Sequence, residues 1–176
     1  MKEAIAILTG GGPAPGMNTV VGSVAKTFLA KGYRVIGLHY GYSGLFNPNP
    51  RYEDLDMFRV DYIFNQGGSY LTMSRFKPTD EDFEKNFNLD FFKDNNIKLL
   101  VTVGGDDTAS TANRIAKFLE RMQYPIAIST FQRLSTTTFL CPQVCPLSAT
   151  SRQRMQVPLS VVRYTTTLAP RQTGLL

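Results

Sequence analysis

Twice in this chain a short apolar strand runs through a glycine loop into an apolar helical face, and that repeated unit confines the fold to a parallel sheet with helices packed on it. The more informative copy is Lys98-Leu-Leu-Val-Thr-Val-Gly-Gly-Asp-Asp-Thr108. Leu99 to Val103 are apolar or β-branched throughout, which reads as a buried strand, and Thr111 to Leu119 carry apolar residues at helical spacing. The other copy is Ala4-Ile-Ala-Ile-Leu8, then Thr9-Gly-Gly-Gly-Pro-Ala-Pro-Gly-Met-Asn18, then Val20, Val21, Val24, Phe28 and Leu29 on one helical face. Tyr33-Arg-Val-Ile-Gly-Leu-His39 adds a third strand-like run. Three strand–helix alternations predict an α/β, three-layer architecture with a mainly parallel sheet, and they place the glycine loops at the C-terminal ends of strands, where such sheets bind ligands.

The chemistry of those loops is that of phosphate. Gly104 and Gly105 allow close approach of the backbone, and the first N–H groups of the following helix, with its dipole, favour an anion. Asp106 and Asp107 would repel a phosphate unless a divalent cation lay between, and a hard carboxylate oxygen suits Mg²⁺. By itself this turn reads equally as a helix start capped by aspartate. The 9–18 loop matches neither common fingerprint: no Gly-Lys-Ser/Thr closes it, and Pro15 breaks the G-x-G-x-x-G spacing.

Taken together, Thr-Gly-Gly-Gly-Pro-Ala-Pro-Gly-Met-Asn (9–18), Gly-Gly-Ser-Tyr-Leu-Thr-Met-Ser-Arg (67–75) and Gly-Gly-Asp-Asp-Thr (104–108) resemble, in order and spacing, the phosphoryl-donor segments of the 6-phosphofructokinases. Gly41-Tyr-Ser-Gly-Leu45 fits the same pattern, and the resemblance covers residues 4 to about 126. It implies a kinase that transfers a phosphoryl group from pyrophosphate or ATP to fructose 6-phosphate, the sugar lying in a cleft shared with a second domain, in an enzyme that is a homo-oligomer when intact. It further implies donor-phosphate contacts from Gly11, Gly12, Arg75, Gly104, Gly105, Asp107 and Thr108, with Arg75 also neutralising charge on the transferred group and Asp106 holding Mg²⁺. Two positions depart from the common pattern. Pro13 stands where an Asp is more usual, and Asp107 where ATP-using members carry Gly; Asp there goes with pyrophosphate, because a β-carbon and a charge crowd the path of an α-phosphate and nucleoside.

Elsewhere the residues read as structural. The first helix is expected from Gly16 to Lys31, closed by Gly32. Thr79-Asp-Glu-Asp82 is a capped helix start, and Phe83, Phe87, Phe91 and Phe92 form the core side of one or two short helices. His39, the sole histidine, is read as a packed or edge residue of its strand, and Gln66-Gly-Gly68 opens the loop that delivers Arg75. No apolar run approaches the ~20 residues of a membrane span, and Lys2 and Glu3 precede a strand instead of a signal sequence, so the expectation is a cytoplasmic protein.

After residue 126 the composition changes. Residues 1–126 hold fourteen basic and fourteen acidic side chains; residues 127–176 hold five Arg and no Lys, Asp or Glu, so the net charge of +5 arises there. Five scattered Arg make a poor nucleic-acid track, and Cys141 with Cys145 lack the further ligands of a metal site. Reading frame explains the segment better. The family motif Val-Pro-Lys-Thr-Ile-Asp-Asn-Asp, encoded as GTT CCA AAG ACT ATC GAC AAC GAC, reads Phe-Gln-Arg-Leu-Ser-Thr-Thr when shifted by one nucleotide, which is residues 131–137 here. Residues 1–126 are therefore expected to be the donor-binding part of a phosphofructokinase domain, and 127–176 an out-of-frame tail without native fold. The general-base Asp that the resemblance implies is absent from this frame, so the chain is expected to be truncated and to turn over poorly.

Overall fold

The computed structural model describes residues 3–124 and 126–132, together with the backbone of Tyr164–Thr167. The order is β1 (Ala4–Thr9), α1 (Met17–Ala30), β2 (Arg34–Leu38), α2 (Gly41–Leu45), β3 (Tyr52–Leu55), α3 (Met57–Phe64), α4 (Asp80–Lys85), α5 (Leu89–Asp94), β4 (Ile97–Gly104), α6 (Asp106–Arg121), β5 (Ala127–Gln132) and β6 (Tyr164–Thr167). They form one sheet in the order β3-β2-β1-β4-β5-β6. The four inner strands run parallel, and β3 and β6 pair antiparallel at the two edges. The expected α/β class with a mainly parallel sheet is what the chain adopts.

Strand pleating sorts the core into two layers. From β1, Ala4, Ala6 and Leu8 face a cluster with Leu100, Ile115, Leu119 and the phenylalanines of α4 and α5. Ile5 and Ile7 face the opposite cluster, with Val21, Val24, Val60, Ile63, Val101 and Val103. Because β1 is buried on both faces, all six of its residues are apolar or, at Thr9, hydrogen-bonded. α1 ends as expected: Lys31 is its C-cap and Gly32 turns out at φ 83°.

The sheet does not stop at residue 126, where the composition changes. Ala127–Gln132 runs in parallel register beside β4, with Ile128 and Thr130 buried. Ladder hydrogen bonds come from the backbone, so Ala127–Gln132 can pair without an alternating sequence, and its burial alternates at Ile128 and Thr130. Cys141, Cys145 and most of the segment read from sequence as out of frame lie outside the described residues.

α4 opens with a capping box. The Thr79 hydroxyl accepts from the Asp82 N–H while the Asp82 carboxylate accepts from the Thr79 N–H at 2.8 Å. Thr79→Ala should lower stability by about 1 kcal/mol, measurable by urea denaturation. The hydrogen bonds from the Thr79 backbone and hydroxyl hold the Asp82 carboxyl below its ordinary value. A lowered folded-state pKa contributes stability above the unfolded value of 3.8, and that contribution disappears as pH falls through the folded value. The difference between wild type and Thr79→Ala should therefore be constant near neutrality and shrink below about pH 4.

Candidate active site

A cleft of about 530 Å³ opens at the C-terminal ends of β1 and β4. Its walls come from three separate parts of the chain: Gly11 and Gly12 after β1, Ser74 to Lys77 from the long loop before α4, and Gly105 to Thr108 at the start of α6. Tyr42 and Thr111 complete the lining.

Local chemistry explains how each wall is held. Gly10 N–H donates to Val103 O at 2.9 Å and Gly11 N–H to Ser74 O at 3.1 Å, so the glycine loop is stitched on one side to β4 and on the other to the arginine-bearing segment. Gly11 has φ 83°, a left-handed conformation that glycine enters without a side-chain penalty. Asn18, buried at the start of α1, donates from Nδ2 to Gln66 O and accepts from Tyr70 N–H at 2.8 Å, so the loop leading to Arg75 is tied to the first helix. Tyr42 Oη donates to Thr108 O at 2.8 Å, fixing the first turn of α6 from across the cleft. Burial pushes the Tyr42 hydroxyl far above the ordinary tyrosine range, so it stays a donor throughout the accessible pH range.

The cap of α6 is Gly105, with no side-chain hydrogen bond, and Asp106 and Asp107 lie in the first helical turn. The aspartate-capped reading of this turn is thereby replaced: neither carboxylate closes the helix, and both line the cleft. Asp106 Oδ1 accepts from Gln132 Nε2 at 3.2 Å, whereas Asp107 Oδ2 is 3.0 Å from Lys77 Nζ. That ion pair is exposed, at 68% and 76% of the two side-chain surfaces, so its contribution to stability is below about 1 kcal/mol. Its position at the cleft wall matters more than its strength. With α6 presenting unpaired first-turn N–H groups and Arg75 and Lys77 nearby, the cleft offers donors and positive charge to an anion, and carboxylate oxygen to a hard cation.

Of the residues singled out in the sequence, Gly11, Gly12, Arg75, Gly105, Asp106, Asp107 and Thr108 meet at this cleft. Gly104 does not line it; it is the last residue of β4, packed beneath Thr108 and Gly10. Tyr42, Ser74, Phe76, Lys77 and Thr111 were not assigned there from sequence. Thr111 lies one turn after Asp107, and its hydroxyl donates to Asp107 O at 2.9 Å, so helical periodicity alone could have found it. Lys77 reaches the cleft from the loop before α4 and Tyr42 from the short helix α2, so neither carries such a periodic signal. Among the described residues no three His, Cys, Asp or Glu side chains gather into a metal cage, and no helix is long and apolar enough to cross a membrane. Asp106 fits a cation held in the manner of Mg²⁺, by one carboxylate together with substrate phosphate and water oxygens.

The family profile described as Phosphofructokinase matches residues 4–142. A pyrophosphate–fructose 6-phosphate 1-phosphotransferase of Naegleria fowleri is 38% identical over 114 residues, covering 64% of this chain and 26% of that protein. An ATP-dependent 6-phosphofructokinase of Aliivibrio fischeri is 35% identical over 125 residues, covering 71% and 37%. Identity therefore does not separate the two donor classes. Among solved structures, Pichia pastoris phosphofructokinase in the T-state superposes with a TM-score of 0.65 at 26% identity, over 75% of this chain and 15% of that one. A pyrophosphate-dependent phosphofructokinase from Marinobacter aquaeolei shares the fold, with a TM-score of 0.58 at 19% identity over 73% and 32%. The chain thus spans about a quarter to a third of the length of these curated relatives. Loops, cleft and matches agree: the chain belongs to the phosphofructokinase family.

Proposed function

We propose that residues 4 to about 126 form the phosphoryl-donor site of a cytoplasmic 6-phosphofructokinase, which transfers a phosphoryl group from pyrophosphate, in preference to ATP, to fructose 6-phosphate in glycolysis. The observation that carries this reading is the convergence of three segments distant in sequence on one cleft rich in phosphate-binding groups. Phosphoryl transfer asks little covalent chemistry of the protein; positioning and charge neutralisation do most of the work. Gly11 and Gly12 bring backbone close to the donor, the N-terminus of α6 faces its charge, and Arg75 sits against the transferred group. Asp106 would hold Mg²⁺, which supplies charge neutralisation between donor oxygens. The preference for pyrophosphate is supported by Asp107: with Lys77 paired to it, a carboxylate and an ammonium occupy the wall where a longer polyphosphate and its nucleoside would have to pass.

Calorimetric titration of the purified chain in Mg²⁺ should show pyrophosphate binding and weaker binding of ATP. Asp107→Gly should raise ATP affinity about tenfold, or ~1.4 kcal/mol, while leaving thermal stability within a degree or two. Tighter binding of ATP than of pyrophosphate to the unsubstituted chain would overturn the donor assignment, and binding of neither would overturn the site.

Catalysis by this polypeptide is a separate matter. The general base of the family motif is not encoded in this frame, the resemblance implies a fructose 6-phosphate cleft shared with a second domain, and the chain covers only 26% and 37% of the two relatives. A coupled assay for fructose 1,6-bisphosphate is expected to show little or no turnover. Resequencing codons 120–140 is expected to find one additional nucleotide, restoring Val-Pro-Lys-Thr-Ile-Asp-Asn-Asp; an unchanged sequence would make the tail a genuine part of this product.

A further inference from the structure

Away from the cleft, three side chains with no part in the donor site meet at the β3 edge of the sheet. Tyr70 Oη donates to Glu53 Oε2 at 3.1 Å, and His39 Nε2 lies 3.3 Å from Glu53 Oε1. The His39 and Glu53 side chains are only 16% and 24% exposed, and Glu53 Oε1 is buried without a hydrogen bond of good geometry among the described residues. A buried carboxylate oxygen so placed is costly unless an imidazole N–H stays opposite it, so the cluster is under pressure to remain together. The rings of His39 and Tyr70 are 6.3 Å apart. Burial first, then the Glu53 charge and hydrogen bond, hold the Tyr70 hydroxyl above its ordinary range, with Arg59 opposing and Tyr62 adding. The hydroxyl therefore remains the donor.

What hangs from Tyr70 gives the cluster its meaning. The five residues from Leu71 to Arg75 form no helix or named strand, and Thr72 is held at φ 53°. Their placement depends on discrete ties. Tyr40 N–H donates to Leu71 O and to Thr72 Oγ1, Thr9 Oγ1 donates to Thr72 O at 2.6 Å, and Gly11 N–H donates to Ser74 O. Tyr70 is the upstream anchor of this run, held through its N–H by Asn18 and through its hydroxyl by Glu53.

We infer that Tyr70, seated on the Glu53 carboxylate that His39 covers, is a positioning residue for Arg75, setting the entry of the arginine-bearing segment into the cleft. This rests on the reading of Arg75 as a donor-phosphate ligand. The hydroxyl is some distance along the chain from the cleft and touches nothing in it, so its effect on a ligand must pass through the segment.

Two measurements on the full chain test it. In hydrogen exchange, Tyr70→Phe should speed the Tyr40, Thr72 and Gly11 amides about tenfold while those of β1 and β4 keep their protection. Glu53→Gln, which retains an acceptor, should exchange much more slowly at these amides than Glu53→Val. In titrations with Mg²⁺ pyrophosphate, Tyr70→Phe should weaken binding about tenfold, yet cause no further loss in an Arg75→Met background. Unchanged exchange in Tyr70→Phe, or losses that simply add to that of Arg75→Met, overturns the inference. If the unsubstituted chain binds no pyrophosphate, the donor assignment falls, and the exchange rates alone decide whether Tyr70 positions the segment.

Discussion

Phe92→Ala should lower the unfolding free energy by about 3–5 kcal/mol, the largest loss expected from any single truncation in the α5 layer. Phe92 is fully buried, stacked on Phe87 at 5.6 Å and set edge-on to Phe91 at 5.8 Å. Phe87 in turn meets Phe46 and Phe118, so the ring lies at the base of a contiguous aromatic layer. Truncation removes the transfer free energy of the ring and leaves a cavity whose aromatic walls belong to several elements, and such walls relax only in part. The substitution keeps the backbone carbonyl, which accepts from Tyr124 Oη at 3.1 Å and ties α5 to the chain after α6, so the loss reports on the ring alone. Urea denaturation with an unchanged slope is the measurement. A loss below about 1.5 kcal/mol would mean that the layer collapses freely around the gap, against the close packing described.

Gly104→Ala should be nearly as damaging and, unlike Phe92→Ala, should strike the cleft directly. The backbone at Gly104 is strand, so conformational freedom is not the issue; space is. An added methyl group would run into Thr108 Oγ1 and come within 2.8 Å of Gly10 O. The threonine side chain could turn away, but the Gly10 carbonyl is main chain, in a loop whose N–H is bonded to Val103 O. Relief requires the loops after β1 and β4 to move apart. We expect a destabilisation of about 2–3 kcal/mol and loss of pyrophosphate binding by more than tenfold. Gly105→Ala is the control, because a methyl group there meets nothing within 4 Å, and it should cost about 1 kcal/mol or less. Equal effects of the two substitutions in denaturation would refute the close approach of the loops.

The same pair of glycines shows where reading residues from sequence succeeds and where it stops. Gly104 and Gly105 look alike in the string Val-Gly-Gly-Asp-Asp, and both were assigned to donor contact. In the fold, Gly105 lines the cleft while Gly104 is the spacer beneath it. The distinction depends on Gly10, nearly a hundred residues away, and no local pattern carries it. Asp106 and Asp107 divide in a similar way: one accepts from Gln132 on β5, the other pairs with Lys77 from the loop before α4. His39 was read as a packed or edge residue of its strand; it lies in the turn just after β2 and is half-buried, and its neighbours Glu53 and Tyr70 could not be named without the antiparallel register of β2 and β3, which brings Glu53 beside Gly37.

By itself the sequence determined the class of the fold, the strands β1, β2 and β4 with the helices α1 and α6, and the segments that resemble the phosphofructokinase loops. Those properties follow from periodicity, from glycine at strand ends and from capping residues, all of which act over a few residues of chain. Only the tertiary structure decided which of those residues share one cleft, that Tyr42, Ser74 and Lys77 belong there, and that the sheet continues through Ala127–Gln132. Those outcomes depend on strand order and loop geometry, where contacts join positions tens of residues apart and the free energy of each depends on all the others being made.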